Sequence, residues 1–175
     1  VAKNLADDVI AHDYHLTTGN LCTKYLMEML CEYGYTDVAY KLATQTTYPS
    51  WGYMIENGAT TIWERWENAT GQGMNSHNHP MYGSVSAYFY KYLVGIRPLD
   101  EYPGYERFMV KPFIPTELPY AKATLHTIRG EVFVSWEKKG AALEVTIKVP
   151  GNSEAQVYLP MPGFSKVEES GAVLW

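Results

Sequence analysis

The sequence predicts a chain of two parts, in which helices come first and an antiparallel β-sandwich follows. Apolar residues recur every three or four positions in the first part and at every second position in the second. Eight of the ten prolines lie from Pro98 onward, and residues 97–104 are polar and rich in Pro and Gly, as connectors between domains usually are. We therefore expect one domain at 1–97 and another at 104–175.

Four helices are expected in the first part. The first ends before His12, and Gly34 ends the second, because a glycine commonly follows the last turn of a helix. Thr36 or Asp37 can cap the third helix, which ends before a Tyr-Pro pair. The fourth spans residues 82–94, with Val85, Phe89, Tyr92 and Leu93 on one side. Short connections between consecutive helices favour antiparallel hairpins.

A long stretch between the third and fourth helices, Ser50 to Asn75, has weak periodicity and is rich in Gly, Asn and Trp. A loop of this length inside a compact domain is usually functional. Trp51, Trp63 and Trp66 all lie in it. Since buried tryptophans usually belong to helices and strands, three in one irregular stretch favour a binding surface.

Strands are expected in the second part. Apolar residues alternate over 132–136 and again over 143–149, with a turn at 138–140 between the two runs. A second turn at Gly151-Asn152 leads into a third alternating run, 155–159. Successive hairpins with one apolar face are typical of an antiparallel sandwich.

Charge and composition exclude several classes of function. Fourteen Lys and Arg against nineteen Asp and Glu give a net charge of -5, so we expect no nucleic-acid partner. No apolar run reaches the roughly 20 residues of a membrane span, and no membrane partner is expected. No Walker loop or Gly-x-Gly-x-x-Gly motif occurs, and no cofactor is expected. The chain starts at Val1 and ends at Trp175 in an apolar run, which we interpret as a fragment.

The densest group of candidate catalytic residues is the segment 58–67, where Glu64 stands between Trp63 and Trp66. Indole rings stack on the apolar C–H faces of sugars, and a carboxylate beside them can act as a general base on water. The alternative is a surface turn in which both tryptophans fill the core and Glu64 pairs with a Lys or Arg. Residue statistics alone favour this alternative.

A second polar segment, Ser76-His77-Asn78-His79, precedes the fourth helix. The two histidines lack a third ligand at a recognisable spacing, so no metal site is expected. His79 or Asn78 could bind a ligand hydroxyl, or one of them could cap the helix. Before the second helix, Thr18 or Asn20 is expected to act as the cap, with ligand binding as the second choice.

Four segments in this order resemble the C-terminal portion of bacterial α-L-rhamnosidases of glycoside hydrolase family 78. They are His15-Leu-Thr-Thr-Gly19, Thr47-Tyr-Pro-Ser-Trp-Gly-Tyr-Met54, Gly58-Ala-Thr-Thr-Ile-Trp-Glu-Arg-Trp66 and Met74-Asn-Ser-His-Asn-His79. The combination of the four is specific, whereas any one alone is not, and the resemblance covers nearly the whole chain. It implies that residues 1–97 are the last helical hairpins of an (α/α)6 six-hairpin toroid, followed by a C-terminal antiparallel β-sandwich.

The resemblance also implies an activity. Members of this family remove terminal α-L-rhamnose from glycosides and polysaccharides with inversion, using a general acid and a general base. The family's general base corresponds to Glu64 and its sugar-binding histidine to His79, with Asn78 beside it. Trp51 and Trp63 correspond to pocket-lining positions. A rhamnose-containing glycoside is thus the implied partner.

Two departures from the family pattern stand out. The family's general acid lies upstream of the segments present here, so the 175 residues alone are expected to be inactive. His77 stands where members usually carry Phe or a similar residue, and Pro80 follows the Asn-His pair. The resemblance favours a secreted or periplasmic location, with cytoplasmic members also common.

Two other functions stay open at this point. The chain could be a non-catalytic sugar-binding or supporting β-sandwich module attached to an incomplete helical scaffold. It could also belong to an α/α-toroid glycosidase acting on another sugar, since the substrate assignment depends on the resemblance alone.

Overall fold

The computed structural model describes residues 1–73, 75–160 and 166–174. Met74 of the fourth motif, residues 161–165 and Trp175 lie outside the described residues. The chain divides into two compact units, Val1–Phe89 and Tyr90–Trp175. Helices come first and strands second, as expected from the two kinds of periodicity, while the boundary placed between 97 and 104 stays a prediction.

The first unit is helical. Its elements are α1 (Ala2–Ala11), α2 (Asn20–Glu32), α3 (Thr36–Ala43), α4 (Trp51–Glu56), a 3₁₀ turn (Met81–Ser84) and α5 (Val85–Tyr88), after which a π-helical turn spans Phe89–Leu93. Gly34 has φ +86°, and the Tyr35 amide donates to the Leu30 carbonyl, so the end of α2 is the expected glycine stop.

Two predictions about helix caps are wrong. Tyr35 is the N-cap of α3, without a side-chain hydrogen bond, and Thr36 and Asp37 already lie inside the helix. Gly19 is the N-cap of α2, whereas the Thr18 hydroxyl hydrogen-bonds to the buried Thr23 hydroxyl at 2.8 Å. In both places the backbone turns into the helix one residue away from the side chain that was expected to cap it.

The prediction of one irregular stretch from Ser50 to Asn75 is also wrong at its start, since α4 occupies Trp51–Glu56. The Ser50 hydroxyl caps this helix by accepting from the Tyr53 amide at 3.0 Å. Burial of Trp51 and Met54 holds the short helix in place, because six residues are too few for a helix that is stable alone. The described irregular segment that follows runs from Asn57 toward Pro80.

The expected fourth helix is present in three successive geometries, and three of the four residues predicted on its apolar side, Val85, Tyr92 and Leu93, are buried. Tyr88 is 2% exposed, whereas Phe89, which was expected to face the core, is 41% exposed. Val85, Tyr88 and Tyr92 are three and four positions apart and share one buried face, and Phe89 lies beside that face.

The second unit contains two three-stranded sheets and a short hairpin. The strands are β1 (Ile96–Pro98), β2 (Arg107–Val110), β3 (Tyr120–Thr127), β4 (Gly130–Lys139), β5 (Ala142–Lys148), β6 (Glu154–Val157), β7 (Glu168–Glu169) and β8 (Ala172–Val173). The sheet orders are β1-β2-β6, β3-β4-β5 and β7-β8. The core between the two larger sheets contains Val94, Ile96, Phe108, Val110, Val132 and Val134.

One pairing differs from the succession of hairpins. β6 does not continue the hairpin from β5 but pairs in parallel with β2, with Phe108 opposite Ala155. β1 occupies Ile96–Pro98, so the start of the expected connector is a strand. The alternation of the 132–136 run is confirmed, since Val132, Val134 and Trp136 are fully buried.

Candidate active site

Glu64 and His79 lie on two segments that the backbone joins. The Glu64 amide donates to the Ser76 carbonyl at 2.9 Å, and the His79 amide donates to the Ile62 carbonyl at 2.8 Å. Residues 62–64 therefore run alongside residues 76–79, and we call this pair of segments the 62/79 ladder. It brings together residues of two motifs that are more than ten positions apart in the sequence.

The Glu64 carboxylate is held at one oxygen. Its Oε2 accepts a hydrogen bond from the Ser76 amide at 2.9 Å, and the side chain is half-buried. Among the described residues, Oε1 has no hydrogen-bond partner. The adjacent cation, Arg65, pairs with Glu67 and not with Glu64. A carboxylate with one oxygen held and the other without a partner can accept a proton from a water molecule within hydrogen-bond reach.

Trp63 is buried beside this carboxylate. It is 5% exposed, and its ring lies 5.5 Å from the His77 ring at an interplanar angle of 34°. This burial agrees with the alternative in which Trp63 and Trp66 fill the core. The same alternative expected Glu64 to pair with a Lys or Arg, but the residue that pairs with Arg65 is Glu67. The proposed pocket-lining role of Trp63 stays a prediction.

Trp51 and Trp66 form an aromatic cluster with Tyr82. Trp66 stacks on Tyr82 with ring centroids 3.7 Å apart, and Trp51 meets Trp66 edge-on at 5.3 Å. The Trp51 indole donates to the Tyr82 carbonyl at 2.9 Å, and that of Trp66 donates to the Thr18 carbonyl at 3.2 Å. Burial, aided by the charge of Glu67, raises the pKa of Tyr82 to about 12.

The hydrogen bond of the His79 ring defines which of its nitrogens carries the proton. The Nδ1 of His79 accepts from the Met81 amide at 3.3 Å, so in the neutral ring the proton lies on Nε2. That Nε2–H can donate to a hydroxyl of a ligand. His79 therefore orders the start of the following helix and keeps a donor. The Asn78 side chain is exposed, and the backbone amide of Asn78 donates to the Ser76 hydroxyl at 3.1 Å.

The first and second motifs meet as well. The His15 Nε2 and the Thr47 hydroxyl are 2.7 Å apart, and Gln45 donates to the Asp13 carbonyl at 3.3 Å. Together with the bond from Trp66 to Thr18, these contacts connect all four motifs within one unit. Separated motifs that converge in this way are typical of an active site built on loops.

Sequence reasoning missed two residues of this cluster. Ser76 acts through its backbone amide, which carries no signal in the sequence. Tyr82 was assigned only to a helix, although a tyrosine at the start of a helix near three tryptophans could have indicated a ring cluster.

Neither a metal centre nor a membrane span is found among the described residues. No group of three His, Cys, Asp or Glu side chains there is placed to hold a metal ion. The rings of His77 and His79 bond to different backbone groups, the Ala69 carbonyl and the Met81 amide. Within the same residues, no helix is long and apolar enough to cross a bilayer.

Two consecutive family models match nearly the whole chain. Residues 1–93 match the bacterial alpha-L-rhamnosidase 6 hairpin glycosidase domain, and residues 95–173 match the bacterial alpha-L-rhamnosidase C-terminal domain. The class defined by fold and site is thus a six-hairpin glycosidase domain followed by a β-domain. The chain belongs to the bacterial α-L-rhamnosidase family, which confirms the resemblance seen in the four motifs.

Relatives and solved structures agree with this assignment. An alpha-L-rhamnosidase of Streptomyces avermitilis is 38% identical over 97% of this chain, and one of an Alteromonas species is 39% identical over 91%. The chain spans only 17% and 18% of the length of these relatives.

Two solved structures are similar in fold. The alpha-L-rhamnosidase of Dictyoglomus thermophilum has a TM-score of 0.91 and 48% identity, covering 98% of this chain and 19% of that one. The Streptomyces avermitilis enzyme, solved in complex with L-rhamnose, has a TM-score of 0.85 and 39% identity, covering 91% and 16% respectively.

Proposed function

We propose that this chain supplies the general-base half of an inverting α-L-rhamnosidase site, with Glu64 as the base. The observation that carries the proposal is the Glu64 carboxylate, which is fixed through Oε2 by the Ser76 amide and whose Oε1 has no hydrogen-bond partner among the described residues. This Oε1 takes a proton from the water that attacks the anomeric carbon. The bond from that carbon to the aglycone oxygen breaks on the opposite face of the sugar.

The substrate class follows from the relatives. The relatives from Streptomyces avermitilis and Alteromonas are named alpha-L-rhamnosidases, and the Streptomyces avermitilis enzyme was solved with L-rhamnose bound. A terminal α-L-rhamnose on a glycoside or polysaccharide is therefore the proposed substrate. His79 donates from Nε2 to a sugar hydroxyl, with Asn78 beside it, and the rings of Trp63 and Trp51 line the pocket.

The general acid is proposed to lie outside these 175 residues. An inverting enzyme holds its two carboxyl groups roughly 6.5–9.5 Å apart, one to protonate the leaving oxygen and one to activate water. Without the acid the aglycone oxygen leaves unprotonated, and general-acid assistance is typically worth about 10²–10⁴ in rate. The 175 residues alone should have no measurable activity on an unactivated rhamnoside.

The test compares variants of the full-length protein that contains these residues, with an aryl α-L-rhamnoside as substrate. Glu64→Gln keeps the size of the side chain but removes the base, and kcat should fall by at least about 10²–10⁴. Glu56→Gln is the matched control, since this exposed residue ends α4 and makes the same change in charge.

Proton NMR of the first turnover shows which anomer is released. The wild type should release β-L-rhamnose, the inverted product. Full activity in Glu64→Gln would contradict the assignment of the base, and no activity of the wild type on any rhamnoside would contradict the substrate. Turnover by the 175 residues alone, unchanged by Glu64→Gln, would overturn both the base and the external acid.

A further inference from the structure

His77 joins three segments of the helical unit. Its ring Nε2 lies 2.9 Å from the Ala69 carbonyl oxygen, and its own carbonyl accepts a hydrogen bond from the Thr61 hydroxyl. Its ring also packs against the buried Trp63 at 5.5 Å. The side chain therefore connects the 62/79 ladder to the irregular segment that follows Glu67.

The protonation of this ring follows from its partner. A carbonyl oxygen can only accept, so Nε2 must carry a proton and donate it to Ala69. A neutral imidazole with its proton on Nε2 is sufficient for this bond. His77 is half-buried, and the bond fixes the plane of the ring that faces Trp63.

Ser76, which precedes His77, is the residue that holds the base. Its amide donates to Glu64 Oε2, and its carbonyl accepts from the Glu64 amide, both at 2.9 Å. Any rotation of the backbone at residues 76–77 moves the donor that orients the carboxylate. His77, the next residue, is hydrogen-bonded to other segments through both its ring and its backbone carbonyl.

We infer that His77 is a positioning residue that keeps the Ser76 amide aimed at the Glu64 carboxylate. The inference rests on the proposed function of Glu64. His77 acts through Ser76 and does not touch the sugar. Its loss should therefore lower kcat and leave KM unchanged, because misplacement of a reacting group by about 1 Å can cost up to about 100-fold in rate.

Two variants of the full-length protein separate the two contacts of the ring. His77→Phe keeps an aromatic ring against Trp63 and removes the hydrogen bond to Ala69. His77→Gln keeps a donor and removes the ring. His77→Ala removes both contacts and should lower kcat by about 10–100-fold, whereas His77→Phe and His77→Gln each keep one contact and should lose less. An unchanged kcat in His77→Ala, or a raised KM as its only effect, would overturn the inference.

The decisive measurement repeats His77→Ala in a background without the base. In Glu64→Ala, azide can replace water, because it attacks the anomeric carbon without losing a proton. The C–N bond forms as the C–O bond to the aryl group breaks, and the leaving phenolate carries the electron pair. A base has no part in this reaction, so a residue that acts only through Glu64 has no effect on it.

We expect His77→Ala to change azide-supported turnover by less than about twofold, against about 10–100-fold for water with Glu64 present. Equal losses in both backgrounds would overturn the positioning role, since they would show a general effect on folding or sugar binding. Failure of the proposed function would give a different result. In that case Glu64→Ala would hydrolyse the substrate as fast as the wild type, and azide would not increase turnover.

Discussion

The irregular part of the helical unit and the strands of the sheet unit are stabilised by different contacts. In the helical unit, the indole N–H groups of Trp51 and Trp66 donate to backbone carbonyls of distant segments. In the sheet unit, fully buried apolar side chains such as Phe108, Val132 and Val134 form the core between two regular sheets. The first arrangement stabilises irregular backbone, and the second stabilises paired strands.

The difference shows how an active site can be precise without regular secondary structure. Buried backbone groups must find hydrogen-bond partners, and strands satisfy them by pairing. Between Asn57 and Pro80 side chains and short ladders do so instead, which leaves the Ser76 amide free to hold the Glu64 carboxylate. On the sheet unit, charged residues such as Glu131 and Lys148 pair with each other at the surface.

Trp136→Ala should give the largest loss of stability in the sheet unit. Trp136 is fully buried, and its indole donates to the Leu93 carbonyl at 2.9 Å. Removal of the ring leaves a cavity and an unpaired carbonyl, and should lower the free energy of unfolding by about 3–5 kcal/mol. Urea denaturation measures it, with the exposed Tyr120→Ala as control. A loss below about 1 kcal/mol would show that the core is not continuous.

A glycine pair tests whether close backbone approach also supports the sheet unit. Gly95 and Gly140 both have positive φ, +90° and +63°. A Cβ at Gly95 would lie 2.3 Å from the Lys111 carbonyl carbon, whereas a Cβ at Gly140 meets nothing within 4 Å. Gly140→Ala should cost about 1–2 kcal/mol for its left-handed backbone, and Gly95→Ala clearly more. Equal shifts in the denaturation midpoint would show that the space around Gly95 adapts.

The smallest expected effect concerns the aromatic cluster of the helical unit and alkaline pH. Burial raises the pKa of Tyr82 to about 12, above its usual value of 10. The folded state therefore keeps this proton more tightly than the unfolded state, and stability is lost as the pH rises from about 10 to 12. Tyr82→Phe should make stability less dependent on pH in this range. The exposed Tyr33→Phe should not, and an equal effect of both would contradict burial of the Tyr82 hydroxyl.

The sequence could predict those features that depend on neighbouring residues. The alternation of apolar residues over 132–136 predicted the buried face of β4, and Gly34 predicted the end of α2. The four motifs gave the family, and with it Glu64 and His79 as candidates.

Features that depend on distant backbone could not be predicted in this way. The parallel pairing of β6 with β2 joins residues more than 40 positions apart, and no local pattern specifies it. The hydrogen bond from Ser76 to Glu64 is donated by a backbone amide, which every residue except proline possesses. In the fourth helix, Tyr88 is buried and its neighbour Phe89 is exposed, a difference of one position that periodicity alone did not resolve.

The most direct test of the central claim is the product that Glu64→Ala of the full-length protein forms with azide from an aryl α-L-rhamnoside. If Glu64 is the general base of an inverting site, azide restores turnover and proton NMR shows β-L-rhamnosyl azide. If azide restores no turnover, or if the product keeps the α configuration, Glu64 does not act as that base.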